Sequence, residues 1–258
     1  MTAPRLNFVR QGQGPTLVLS HALGCDLSMW DGVAERLQHR YTVLRYDHRG
    51  HGASPELPGP WTMDSLADDA AALIEAQCQG PVHFAGLSMG GMTAQSLASR
   101  YAHRVRSIVI ANAASHYEQP AQAMWQGRIQ AVLEQGVPAI AQMAMQRWFT
   151  PGFRSDPALG AQQVSALRER LERMSASAYA AACSAVAGID YRASNARIAC
   201  PSLVIAGTLD EATPLAASEA MVAQIPGAQL RTIEAAHLSA VERPAEFAAL
   251  LDGFIGGL

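Results

Sequence analysis

Short apolar runs alternate with amphipathic segments along most of the chain, and this alternation constrains the fold most strongly. The runs are rich in Val, Leu and Ile and end in turn residues, which is typical of strands buried on both faces. We predict five such strands and a final one, at 16–20, 41–45, 82–86, 107–111, 202–206 and 229–233. Amphipathic helices are predicted at 63–77, 91–100, 214–224 and 244–255. Strands alternating with helices predict an α/β fold, a mostly parallel sheet flanked by helices on both faces.

The segment 113–194 interrupts this alternation, because it contains no convincing strand. Four helices are predicted within it, at about 121–135, 138–147, 158–173 and 176–187. A helical insertion of this kind can cover the carboxyl edge of the sheet, where open α/β sheets bind ligands. We therefore divide the chain into a core, 1–112 and 195–258, and a helical cap or lid, 113–194. The alternative is a second helical layer without a gating role.

The composition of the chain limits the partners that it can bind and the cellular compartments in which it can work. With 258 residues, of which 49% are hydrophobic, the chain can bury one large core. Its net charge of −3 argues against a nucleic-acid partner, since there is no basic excess to neutralise phosphates. We expect no membrane span, because no run of apolar residues is long enough. The N-terminal residues lack the apolar segment of a secretory signal, and four scattered cysteines favour a reduced compartment, so we expect a cytoplasmic protein.

The sharpest chemical signal is the pentapeptide Gly86-Leu87-Ser88-Met89-Gly90, between a predicted strand and a predicted helix. A G-x-S-x-G sequence in this context is a nucleophile elbow, a tight turn that exposes the serine hydroxyl at the edge of the sheet. Glycines are needed because a Cβ atom there would collide with the neighbouring strand or helix. The alternative is a glycine-rich start of a helix without chemistry. Ser88 is therefore the candidate nucleophile.

A serine nucleophile needs a base and an acid, which follow it in the order Ser, acid, His. His237 lies just after the last predicted strand, in a loop at the correct edge, whereas His103 and His116 are better explained by surface or cap packing. Asp210 directly follows the strand at 202–206 and is the preferred acid. Its neighbour Glu211 is the competitor, and Asp190 is a weaker candidate within the insertion. Asp210 could instead cap the helix that follows it.

The oxyanion of an acyl-transfer reaction needs hydrogen-bond donors. The backbone N–H groups of Leu23, after the strand at 16–20, and of Met89, after the nucleophile, are the candidate pair. His21 is assigned a loop-shaping role. The sequence Asp47-His48-Arg49-Gly50-His51-Gly52 is predicted to be architectural, with Asp47 and Arg49 tying down a tight loop. A metal site at its histidines lacks a third ligand at any recognisable spacing.

Over nearly its whole length the chain resembles the 3-oxoadipate enol-lactonases, which belong to the α/β-hydrolase superfamily. The resemblance rests on the stretches SHALGCDLSMW, LRYDHRGHGAS, GLSMGGM, RWFT, LVIAGTLDEATP and AAHLSAVE. It implies an α/β-hydrolase fold with a helical lid, and hydrolysis through an acyl-enzyme on Ser88 without metal or organic cofactor. There are two departures. Those enzymes have Asn-Ser where this chain has His21-Ala22, a difference that concerns the substrate rather than the triad. They also begin with an extra strand, whereas 6–10 is the only strand-like run before Thr16 here, so we expect the first strand of the fold to be absent.

By this resemblance the partner is a small ester or lactone. A substrate carboxylate would need a cation, for which Arg128 and Arg147 are candidates, unless both face solvent. Trp30 and Trp148, with Trp125 and Met145, either line an apolar pocket or pack in the core. Two alternatives stay open: a general short-chain carboxylesterase with perhydrolase side activity, and a non-catalytic ligand-binding receptor. The sequence leaves the oligomeric state open.

Overall fold

The computed structural model of the protein describes residues 6–58 and 61–258. A single β-sheet forms the centre of this part of the chain. Within these residues the sheet has seven strands in the order β1-β3-β2-β4-β5-β6-β7. The strands are β1 (Phe8–Gln11), β2 (Thr16–Ser20), β3 (Thr42–Tyr46), β4 (Val82–Leu87), β5 (Val105–Ala111), β6 (Ser202–Gly207) and β7 (Gln229–Ile233). Strand β1 pairs antiparallel with β3 at one edge, and the remaining neighbours pair in parallel. The prediction of an α/β fold with a mostly parallel sheet is confirmed.

Twelve α-helices accompany the sheet in the described part of the chain. They are α1 (Asp31–Leu37), α2 (Met63–Gln77), α3 (Met89–Arg100), α4 (Gln119–Gln135), α5 (Pro138–Trp148), α6 (Pro151–Ser155), α7 (Gly160–Glu172), α8 (Ala176–Ala187), α9 (Arg192–Asn195), α10 (Leu215–Gln224), α11 (Ser239–Glu242) and α12 (Pro244–Ile255). Short 3₁₀ turns lie at Leu27–Trp30 and Ala102–Arg104. Throughout 6–58 and 61–258, every helix falls short of the combined length and apolarity that crossing a bilayer requires.

The strands are buried on both faces because successive side chains alternate between the two sides of the sheet. In β2, Leu17 and Leu19 join one apolar cluster, with α1 and α12, while Val18 joins the other, with α2, α3 and α10. Both clusters are continuous with the central strands, whose residues are almost wholly inaccessible to solvent. This two-sided burial explains why the strands are continuous apolar runs in the sequence.

The amino-terminal segment contributes the edge strand β1, whose central residues Val9 and Arg10 are exposed. Its four residues pair with β3 from Phe8 opposite Tyr46 to Gln11 opposite Val43. The extra strand of the enol-lactonases would precede this segment, and residues 1–5 lie outside the described part of the chain. The expectation of a missing strand therefore stays a prediction.

The chain between β5 and β6 is mainly helical and contains α4 to α9, with an isolated bridge between His116 and Asp190. Helices α4, α5, α7 and α8 correspond to the four helices that the sequence predicts, whereas the short α6 and α9 are additional. The apolar faces of these helices, through residues such as Met145, Leu167 and Tyr179, join the cluster that contains Leu17 and Leu19. Through these residues α5, α7 and α8 pack against that cluster, whereas the short α9 contacts α3 and α10.

Candidate active site

Ser88 occupies a strained turn between β4 and α3. Its φ of 54° lies in the left-handed region, which costs a non-glycine residue about 1–3 kcal/mol. The glycines around it are required by close backbone approach: a Cβ atom on Gly86 would lie 2.0 Å from the Gly90 oxygen, and one on Gly90 would lie 2.0 Å from the Ser20 oxygen. The turn holds the Ser88 hydroxyl, which is only partly buried, at the carboxyl edge of the sheet.

The structure brings together the three side chains that the sequence proposes as a triad. His237 Nε2 lies 2.9 Å from Ser88 Oγ, and His237 Nδ1 lies 2.8 Å from Asp210 Oδ2. Each residue follows the carboxyl end of a strand: Ser88 after β4, Asp210 after β6 and His237 after β7. Because neighbouring parallel strands end at the same edge, these distant parts of the sequence meet there.

The environment of Asp210 favours its ionised form. Burial, the largest effect, raises the pKa of Asp210, but the charge of His237 and hydrogen bonds from His237, Thr213 and Asn112 together lower it to about 2. The backbone N–H groups of Ala212 and Thr213 also donate to Oδ1, at 2.7 and 3.0 Å. Asp210 is thus an ionised acceptor in a rigid frame and can hold the His237 ring with its proton on Nδ1.

The competing residues form no hydrogen bond with Ser88 or His237. Glu211 is exposed, and its backbone oxygen accepts a hydrogen bond from Arg147. Asp190 is paired with Arg192 on the surface, and the Arg192 hydrogen bond lowers the pKa of Asp190 to about 2. His116 pairs with Glu118, and His103 is exposed in the 3₁₀ turn after α3. None of these residues reaches Ser88.

The two proposed oxyanion donors are adjacent to the triad. Met89 is the first residue of α3, so its N–H is among the donors that a helix leaves without an internal acceptor. Leu23 lies in the loop after β2, and within residues 6–58 and 61–258 its N–H has no protein acceptor. A developing oxyanion beside Ser88 would also experience the positive end of the α3 dipole.

A cavity of about 500 Å³ opens onto Ser88 and His237. Arg128, Arg147 and Trp148 line it, together with Leu23 and several apolar side chains of α4 and α5, among them Trp125, Ile140 and Met143. The guanidinium of Arg128 lies 5.2 Å from the centre of the Trp125 ring and contacts the Tyr179 hydroxyl. In the described part of the chain neither arginine pairs with a carboxylate.

Of the two alternatives stated for Trp30, a place in the substrate pocket is wrong and core packing is correct, because this residue does not line the cavity. Its ring is fully buried, and its centre lies 5.6 Å from that of Phe247 on α12. Met145 is likewise buried in the core and absent from the cavity lining. Both residues come from segments next to the site, but their side chains point into the apolar cluster beneath it.

Asn112, which the sequence analysis missed, joins the elements that carry the triad. Its side-chain amide donates to Asp210 Oδ2 at 3.0 Å, and its oxygen accepts from Ser239 Oγ at 2.6 Å. It is fully buried and has a φ of 46°, a conformation that asparagine tolerates better than most residues. Its position directly after β5, at the same edge as Ser88 and Asp210, is the signal that would have identified it.

The loop of His237 is anchored to the helical region. Glu242 accepts hydrogen bonds from the backbone N–H of Ala236 at 2.8 Å and from that of Thr150 at 3.1 Å. The Leu238 N–H donates to the Trp148 oxygen at 3.0 Å. The stretches RWFT and AAHLSAVE therefore meet in the structure, and the His237 loop is held by contacts with the helical segment between β5 and β6.

The contacts of the loop at 47–52 agree with the predicted architectural role, because both Asp47 and Arg49 tie the loop down by charged hydrogen bonds. Asp47 accepts from the backbone N–H groups of Leu27 and Ala53, but Arg49 forms a buried two-contact ion pair with Asp69 on α2, at 2.6 and 2.8 Å. The partner of Arg49 is thus a carboxylate on the helix α2. In residues 6–58 and 61–258, no cluster of three or more His, Cys, Asp or Glu side chains has an arrangement that could hold a metal ion.

The order of the strands and the serine turn at the end of β4 define a class of protein. The family model described as alpha/beta hydrolase fold matches residues 15–244, and the chain belongs to this family. The resemblance noted in the sequence is thereby confirmed.

Within this family, the chain is similar to several enol-lactonases over nearly its whole length. The chain is 41% identical to 3-oxoadipate enol-lactonase 2 of Acinetobacter baylyi over 244 residues, 94% of this chain and 90% of the relative. It is 34% identical to 3-oxoadipate enol-lactonase 1 of the same organism over 242 residues, 93% of this chain and 88% of the relative. The crystal structure of the enol-lactonase from Burkholderia xenovorans LB400 superposes with a TM-score of 0.93 at 32% identity, covering 98% of both chains.

Proposed function

We propose that this protein is a serine hydrolase that opens an enol-lactone, with Ser88 as nucleophile, His237 as general base and Asp210 as the residue that orients His237. The observation that carries the proposal is the continuous chain of hydrogen bonds from Ser88 through His237 to Asp210, at 2.9 and 2.8 Å. The lactone is inferred from the enol-lactonases that are 41% and 34% identical to this chain.

In the first half of the reaction, Ser88 Oγ attacks the lactone carbonyl carbon while His237 Nε2 takes the hydroxyl proton. The carbonyl oxygen becomes negative and accepts hydrogen bonds from the N–H groups of Leu23 and Met89. The ring C–O bond then breaks, and His237 returns its proton to the departing enol oxygen. Because the substrate is cyclic, this oxygen stays attached to the acyl chain.

In the second half, a water molecule attacks the acyl carbon while His237 takes its proton. The bond to Ser88 Oγ breaks, Ser88 regains the proton, and a carboxylic acid with an enol group leaves the enzyme. The charged His237 formed in each half is stabilised by the ionised Asp210. These steps need only the residues named and water.

We propose that Arg128 and Arg147 bind a carboxylate of the substrate. Both line an otherwise largely apolar cavity, in which a guanidinium interacts more strongly with an anion than it does in water. Both come from the helical segment 113–194, which we propose is a separate cap that shapes the substrate pocket. The apolar lining from Trp148, Ile140 and Met143 also favours the second candidate function, a general short-chain carboxylesterase.

The catalytic roles are tested by Ser88→Ala and His237→Ala. We expect kcat to fall by roughly 10³-fold or more in each, with the fold intact by circular dichroism. A fluorophosphonate probe should label Ser88 in the wild-type protein. The absence of a Ser88 adduct, together with saturable ligand binding, would favour the non-catalytic receptor instead.

The substrate is tested by comparing kcat/KM for an enol-lactone that carries a carboxylate with that for p-nitrophenyl acetate. If the lactone is no better than the simple ester, the general carboxylesterase is the better assignment. Arg128→Gln and Arg147→Gln should raise KM for the charged lactone about tenfold and leave that for the neutral ester unchanged. Arg168→Gln is the matched control, because Arg168 is an exposed arginine of the same region that pairs with Glu172 outside the cavity.

We also propose a cytoplasmic location, supported by the four free thiols of Cys25, Cys78, Cys183 and Cys200. Fractionation of cells that express the protein tests this location.

A further inference from the structure

His21 lies directly after β2 and is fully buried beside the loop of the candidate oxyanion hole. Its Nε2 atom lies 3.0 Å from the backbone nitrogen of His48, and its Nδ1 atom lies 2.8 Å from the backbone oxygen of Ala22. A backbone N–H only donates, so Nε2 must accept and the single proton of the neutral ring must lie on Nδ1. His21 therefore donates to the Ala22 carbonyl, and His48 determines the tautomer that makes this possible.

The Ala22 oxygen belongs to the same peptide unit as the Leu23 N–H. This peptide is planar and trans, so its oxygen and its N–H point in opposite directions. A second donor, the N–H of Cys25, lies 3.1 Å from the same oxygen. Two donors at the oxygen end of the peptide thus fix its rotation. Its opposite end, the Leu23 N–H, is left free for the cavity that Ala22 and Leu23 line together with Ser88.

We propose that His21 is a positioning residue, which holds and polarises the Ala22–Leu23 peptide so that the Leu23 N–H is ready to receive the oxyanion. The inference rests on the proposed function, because it assumes acyl transfer at Ser88. No proton moves in this role. A hydrogen bond to the carbonyl shifts electron density towards its oxygen and makes the N–H of the same peptide a stronger donor.

The surroundings of His21 suit a neutral donor. Burial lowers the pKa of His21 below its ordinary value, and the negative charges of Asp47 and Asp26 oppose this only in part. The rings of His48 and His51 lie 4.8 and 5.1 Å away, and burial lowers their pKa values as well, that of His51 to about 3. The three rings therefore stay uncharged at neutral pH, and His21 supports the peptide without adding a charge near the reaction.

The experiment compares His21→Ala, His21→Asn and a control variant, His51→Asn. In His21→Ala the peptide loses one of its two fixing bonds. We expect kcat for p-nitrophenyl acetate to fall by about 10- to 100-fold with KM unchanged, less than the loss from deleting a whole oxyanion donor. The inhibition constant of a trifluoromethyl ketone, which forms a tetrahedral adduct with serine, should weaken in parallel.

An asparagine at position 21 places an amide N–H about where Nδ1 of His21 lies and can donate to Ala22, so His21→Asn should recover most of kcat. His51 provides the control because it belongs to the same buried cluster but bonds to the Arg49 oxygen rather than to Ala22. His51→Asn should lower the Tm and leave kcat per active site unchanged. Titration with a fluorophosphonate counts the active sites and corrects every value for the folded fraction.

The proposal is overturned if His21→Ala keeps the wild-type kcat, if His51→Asn loses as much, or if His21→Asn recovers nothing. Should His21→Ala not fold, His21→Leu retains much of the volume without the donor and gives the same comparison. The proposed function fails separately, through activity that survives in Ser88→Ala.

Discussion

Replacing Asn112 with alanine tests the network that supports the triad. The substitution removes a donor to Asp210, leaves the hydroxyl of Ser239 without its acceptor, and places a Cβ-bearing residue without a polar side chain at a φ of 46°. Each of these changes is expected to destabilise the folded protein, and the first also acts on the acid of the triad.

The magnitudes follow from the geometry. A buried hydrogen bond to a charged group contributes about 2 kcal/mol, and a buried hydroxyl left without a partner costs about 1 kcal/mol. Alanine in the left-handed region adds about 1 kcal/mol. We therefore expect Asn112→Ala to lower the free energy of unfolding by about 4 kcal/mol. The pKa of Asp210 should rise, but its remaining donors keep it ionised at neutral pH, so kcat should fall by no more than about tenfold.

Urea denaturation and p-nitrophenyl acetate turnover measure these effects. Asn112→Gly is the matched variant, since it removes the same hydrogen bonds but adopts a positive φ without a steric penalty. It should be more stable than Asn112→Ala by up to about 1 kcal/mol, because glycine's flexibility in the unfolded chain offsets part of the gain. An alanine variant within about 1 kcal/mol of wild type would refute the assigned role of the network, given the bond energies used.

Two further predictions concern Asp210 and the tryptophans. Because the pKa of Asp210 is about 2 in the folded protein and ordinarily 3.8, its ionised form stabilises the fold above about pH 4, and roughly 2 kcal/mol of stability is lost as the pH falls through 2. Unfolding free energies of wild type and Asp210→Asn should converge in that window, and a constant difference would contradict this. Trp30→Ala should cost about 3–5 kcal/mol with KM unchanged, whereas Trp148→Ala should raise KM. Steady-state kinetics on the folded variants would expose an error in the cavity assignment if Trp30→Ala changed KM more.

Features that depend on a few neighbouring residues were predictable from the sequence, whereas contacts between distant residues were not. The strands were predictable because burial on both faces makes each a continuous apolar run. The serine turn was predictable because Gly86 and Gly90 are needed by backbone contacts within a few residues of Ser88 or on the adjacent strand. The edge strand β1 gave a weaker signal, because its two central residues are exposed.

Side-chain direction within the folded core is not a local property. Trp30 and Trp148 are alike in sequence terms, yet one packs on Phe247 and the other lines the cavity. Arg49 pairs with Asp69 rather than with nearby Asp47, since the helix α2 carries that carboxylate to it. The partner that each of these side chains contacts therefore depends on which helices and strands pack together.

The sequence by itself determined the α/β architecture, the turn at Ser88 and the short set of residues able to complete its chemistry, because backbone preferences and apolar spacing act over a few residues. The sequence also favoured His237 as the base and Asp210 over Glu211, but only the tertiary structure determined that His237, 149 positions away, meets Ser88 and Asp210 at hydrogen-bond distance, and it alone revealed the contacts of Asn112 and His21. Those contacts follow from the order of the strands and the packing of their loops, which bring distant residues to a single edge of the sheet.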